Sequence, residues 1–120
     1  MPKPKSENWY TRPVLFVSNI EEALNFYCDK LGFEKAWDYG ENGATIVVQV
    51  NRGKKCEVIL SLNADRAGMS RLFIELLSEE LKHFKAEIKK RNILSKDSFW
   101  GMPIIAIQDP SGNELFFPTG

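Results

Sequence analysis

The most constraining feature of this 120-residue chain is that it states one pattern twice. Leu72-Phe73-Ile74 echoes Leu15-Phe16-Val17, and Glu79–Phe84 (EELKHF) echoes Glu21–Phe26 (EEALNF), at spacings of about 57 and 58 residues. In both places an apolar strand-like run leads into a helical pattern and then into further strand-like runs. Chance similarity between short segments does not explain a shared order of elements. Two similar halves, about 11–62 and 71–118, are therefore expected within a single domain.

Local signals fill in each half. Thr11–Ser18 reads as a buried strand, with Pro13 near its start or on an edge. Asn19 is placed as an N-cap, with Glu22 completing a capping box. Ala23, Leu24, Tyr27 and Leu31 share a helical face, and Gly32 supplies a left-handed C-cap. Strands are expected over Phe33–Tyr39, Ala44–Val50 and Cys56–Leu62, separated by GENG and NRGKK turns. In the second half Ser78 is the expected N-cap, and Leu77, Leu81, Phe84 and Ile88 form the apolar stripe of a helix ending near Asn92. Strands follow over Pro103–Gln108 and Asn113–Phe117. Between these two, Asp109-Pro110-Ser111-Gly112 fits a type I turn closing a three-residue hairpin loop with a bulge.

Composition excludes several functions. Sixteen basic and sixteen acidic residues cancel, which removes any general attraction to nucleic acid or anionic membrane. The basic runs Asn51–Lys55 and Lys89–Asn92 belong to a turn and a helix end, where cations suit the helix dipole. Cys28 and Cys56 match no zinc or redox spacing, so reduced thiols in a cytoplasmic protein are expected. The first ten residues lack the apolar core of a signal peptide, and no apolar run approaches the ~20 residues of a membrane span. With His83 the lone histidine, set between lysines on a helix, no nucleophilic triad can be assembled, and no glycine-rich phosphate loop is present.

Two segments, RPVLFVSNIEEALNFYCDKLGFEKAWDYG and WGMPIIAIQDPSGNELFF, together resemble the vicinal oxygen chelate superfamily, which includes glyoxalase I, extradiol dioxygenases, fosfomycin-resistance enzymes and bleomycin-resistance proteins. The resemblance implies an α+β fold of two βαβββ modules, a curved mixed sheet around a cleft. Metal enzymes of the superfamily draw His and Glu or Gln ligands from four cleft-facing strand positions, which fall here on Arg12, Leu60, Arg71 and Phe116. Arginine, leucine and phenylalanine do not ligate divalent cations. The resemblance is therefore to the bleomycin-resistance branch: a metal-independent, cytoplasmic homodimer that sequesters a small molecule such as an antibiotic. Its clefts are built by both subunits, in some members with an exchanged N-terminal strand. No metal, cofactor, nucleic acid or membrane partner is implied. Bleomycin-resistance proteins are acidic, whereas this chain is neutral. The alternatives are a glyoxalase- or dioxygenase-like enzyme with an atypical site, using Glu75 or Glu114 as base, and a ligand-free dimeric interaction module.

Counting from those positions by strand alternation, the expected cleft face carries Arg12, Val14 and Phe16, then Val58, Leu60 and Leu62. It continues with Arg71, Phe73 and Glu75, then Glu114 and Phe116. Two inward guanidiniums need partners, and Glu75 and Glu114 are the nearest carboxylates in the pattern. Trp37, Tyr39, Phe99 and Trp100 are candidates to stack on a planar ligand, Trp100 foremost. Trp9 and Tyr10 in the N-terminal arm are expected to pack on a partner subunit.

Overall fold

The computed structural model describes residues 8–120; the first seven, the start of the N-terminal arm, lie outside the described residues. Strand β1 (Val14–Val17) leads into helix α1 (Ile20–Leu24), which continues as a π-helical stretch, Asn25–Lys30. Strands β2 (Glu34–Glu41), β3 (Ala44–Arg52) and β4 (Cys56–Leu62) complete the first module. The second runs β5 (Arg71–Phe73), α2 (Ser78–Lys90), β6 (Lys96–Phe99), β7 (Pro103–Gln108) and β8 (Glu114–Pro118). Each module is βαβββ, and each makes a four-stranded mixed sheet, ordered β1-β4-β3-β2 and β5-β8-β7-β6. Within each sheet the first pair is parallel and the others antiparallel.

The first helix starts as its cap predicts, with Asn19 Oδ1 accepting from the Glu22 amide at 2.9 Å, and Gly32 beyond its end has φ +75°. The wider π turns, closed by the Leu31 amide on the Phe26 carbonyl, bring both Phe26 and Tyr27 into the core. The second helix corrects two expectations. Ser78 is already helical rather than the cap; the cap position is Leu77, which makes no side-chain cap bond and is 76% exposed. Leu77 therefore lies outside the apolar stripe, and Phe84 and Ile88 carry its buried part. The sequence Lys-Asp-Ser-Phe of β6 is exposed throughout, so it carries no apolar alternation from which a strand is predicted.

One core serves both modules. Leu15, Val17, Val48, Val50, Val58 and Leu60 from the first sheet pack with Ile105, Ile107, Leu115 and Phe117 from the second, and with residues of both helices. At about 1.5–3 kcal/mol per buried large aliphatic or aromatic side chain, this shared core is the main term holding the halves together. The opposite face of each sheet consequently looks away from the shared core.

The hairpin turn near the C-terminus fastens the halves. The loop has the predicted form: the Gly112 amide donates to the Asp109 carbonyl at 3.0 Å, and Gly112 has φ +103°. Its buried side chains do more than turn the chain. Asp109 accepts from Tyr27 Oη at 2.8 Å, and Asn113 Nδ2 donates to the Phe16 carbonyl at 2.9 Å. Asn113 Oδ1 in turn accepts from the Ser70 amide. Gly68 (φ +81°) lies against this turn, and a Cβ there would meet the Ser111 carbonyl oxygen at 2.1 Å, so only glycine fits. Burial, and next the Asp109 carboxylate, push the Tyr27 phenol well above its ordinary range.

Candidate functional site

On the first sheet, strand register decides which residues face outward from the core. Leu60 lies opposite Leu15, fully buried on the helix side, so it is not a cleft residue; Val58 likewise belongs to the core. The outward set of β4 is offset by one residue from the expected Val58, Leu60 and Leu62. The outward residues of that strand are Glu57, Ile59 and Ser61, with Ile59 paired to Val14 and Ser61 to Phe16. Ile59, which takes the outward place, has no donor atom for a cation either.

Gln49 organises this face, and no motif announced it. It is 3% exposed, and its Oε1 accepts from Arg12 Nη1 at 2.7 Å and from Trp37 Nε1 at 2.8 Å. Its Nε2 donates to Asn51 Oδ1 at 2.9 Å and to Glu57 Oε1 at 2.8 Å. Both ends of the amide are fully used. Arg12 is therefore held by a neutral side chain, not by Glu75. Trp37 presents its ring at 41% exposure, and Tyr39, two residues on, is 53% exposed with its hydroxyl on Glu41 Oε2 at 3.1 Å. Phe16 is half-buried beneath the Arg66 guanidinium at 5.9 Å.

The second sheet gathers Arg71, Phe73, Trp100, Glu114 and Phe116. Parallel register sets Arg71 beside Glu114 and Phe73 beside Phe116. Arg71 Nε and Nη2 both reach Glu114 Oε1, at 3.1 and 2.6 Å. The guanidinium also sits 4.6 Å from the Phe116 ring centroid and 5.8 Å from that of Trp100. Trp100 meets Phe73 at 5.7 Å and Phe116 edge-on at 5.6 Å. Phe116 is buried, whereas Phe73 and Trp100 are 40% and 48% exposed. The loop that places Trp100 turns at Gly101 (φ +71°), with the Trp100 amide on the Met102 carbonyl. Phe99, by contrast, is 71% exposed on the edge strand and has no part in this cluster.

Neither face offers a cation site. Among the described residues no three His, Cys, Asp or Glu side chains converge as metal ligands do. His83 is exposed on α2. A divalent cation therefore does not fit the donors present.

A profile of the Glyoxalase/Bleomycin resistance protein/Dioxygenase superfamily matches residues 8–117. The chain belongs to this superfamily. Its fold is shared with a bleomycin-binding protein from bleomycin-producing Streptomyces verticillus, solved with copper(II)-bleomycin (TM-score 0.68, 22% identity, covering 96% of this chain and 98% of that one). TnmS3, an antibiotic binding protein from Streptomyces sp. CB03234, aligns with TM-score 0.66 at 20% identity over 95% of this chain and 100% of its own. An integron cassette protein from the mobile metagenome of Halifax Harbour sewage outfall gives 0.73 at 17% identity, over 92% and 97%. No curated protein matches the sequence. At these identities the superfamily's architecture is what is shared. Among the described residues no helix is long and apolar enough to cross a membrane.

Proposed function

We propose that this protein is a metal-independent, cytoplasmic small-molecule-binding protein that sequesters a planar ligand such as an antibiotic, acting as a homodimer. The observation that carries the reading is the cluster of Arg71, Phe73, Trp100 and Phe116. A buried aromatic ring with two half-exposed aromatic rings and a stacked guanidinium suits the face of a flat molecule. Glu114 fixes the guanidinium in place before any ligand arrives. Ligands whose names accompany two of the structural relatives, bleomycin and an unspecified antibiotic, support the same class.

The exposed apolar surface supports the dimer reading. Both concave faces look away from the one shared core, and Val14, Trp37, Phe73 and Trp100 are each at least 40% exposed on them. Apolar surface of this kind marks an interaction site. A second copy laying its Trp37 face over the Trp100 face of the first would close two equivalent clefts by one two-fold axis. Trp9 and Tyr10, 86% and 60% exposed, would then pack on the partner, with or without exchange of the N-terminal strand.

Sedimentation analysis should return the dimer mass. A thermal-shift screen over bleomycin, planar aromatic antibiotics and anionic aromatics, each with and without EDTA, should find a compound that raises the melting temperature in the presence of chelator. A shift that EDTA abolishes, or a turnover lost with chelator, would instead favour an enzyme with an atypical site.

A further inference from the structure

A recess lies on the core side of the sheets, between the two modules. It has a volume of about 250 Å³, with Leu31, Phe33 and Cys56 on the side of the first module and Ile74, Leu76 and Phe84 on that of the second. Its charged lining is confined to Arg52, Glu80 and His83. Arg52 is already committed: Nη1 donates to the Leu31 carbonyl at 2.7 Å and Nη2 to Glu87 Oε1 at 2.9 Å. Glu80 and His83 also line it but are exposed residues. Apart from those two exposed groups, the one charge in the lining is Arg52, already paired with Glu87, so burying a charged ligand among the apolar side chains would be costly. An apolar cavity of roughly 150 Å³ is known to take up benzene, so this larger recess admits a molecule of about one or two fused rings.

We propose that this inter-module recess is a binding site for a compact, uncharged, predominantly apolar molecule, separate from the concave faces. The two free cysteines give a direct test, because Cys56 lines the recess and Cys28 does not. Indole is the probe. Its Kd is measured by calorimetry on the full chain, and iodoacetamide labelling of each cysteine is then followed by peptide mass spectrometry. With indole at about ten times its Kd, alkylation of Cys56 should slow about tenfold by mass action while that of Cys28 is unchanged. Leu76→Phe, which fills the recess, should weaken indole at least about tenfold. If that variant does not fold, the protection measured on wild type still decides. Absence of binding, binding without protection of Cys56, or loss of binding in Trp100→Ala with retention in Leu76→Phe would each overturn the proposal.

Discussion

The outward faces of the two sheets each carry an arginine, Arg12 just before β1 and Arg71 at the start of β5, and treat it in opposite ways. Arg12, in the first module, is held by the neutral amide of Gln49, which is itself saturated by Trp37, Asn51 and Glu57. Arg71, in the second, is paired with a carboxylate and lies over aromatic rings. The first arrangement is a closed polar network around a buried hub. Both faces present half-exposed aromatic rings, but the first holds its arginine through a neutral amide hub and the second through one carboxylate and aromatic stacking.

Breaking the hub should have the largest effect. Gln49→Ala removes the acceptor shared by Arg12 and Trp37 and the donor held by Glu57, so it should destabilise by about 2–3 kcal/mol in urea unfolding. A loss below about 0.5 kcal/mol would show that the first face is not organised by that amide.

The contact beneath both faces provides a pH signature for separating damage to a face from damage to the core. Tyr27 has its phenol raised above 10.0, so the folded state holds that proton longer than the unfolded chain. Its contribution is complete below pH 10 and is lost as pH rises above it, by about 1.4 kcal/mol per pH unit. Burial raises the Cys56 thiol as well, so the decline should begin nearer pH 9. Unfolding of Tyr27→Phe should lack the steeper part of this decline, whereas Gln49→Ala should keep it.

Smaller effects are expected on the second face. Glu114→Gln should cost no more than about 1 kcal/mol, since both partners of its ion pair are more than a third exposed. Arg71→Lys keeps the charge but loses the two-nitrogen contact and the stacking, and should cost about 0.5 kcal/mol in stability. If Glu114→Gln proved as damaging as Gln49→Ala, the contrast between the faces would fail.

Much of the fold was legible because its signals are local. The Asn19 cap, the Gly32 C-cap and the Asp109 hairpin rest on neighbouring residues, the repeat rests on a recurring order of elements, and all appear in the structure. The site was less legible because it depends on register. One misplaced step along β4 put Leu60 on the wrong face, and Gln49 carries no motif since its importance comes from partners on three other segments. The turn around Asp109 was read as a hairpin; its hold on Tyr27, Phe16 and Ser70 involves distant parts of the chain that no local pattern reveals.

The central claim is that the Trp100 cluster binds a planar ligand without metal. It is tested most directly by calorimetric titration, in EDTA, of the strongest thermal-shift compound into wild type and Trp100→Ala. The account predicts one ligand per cleft in wild type and affinity about tenfold weaker in the variant, the loss of a single aromatic contact. Equal affinity in the two proteins, or binding that requires an added divalent cation, would contradict it.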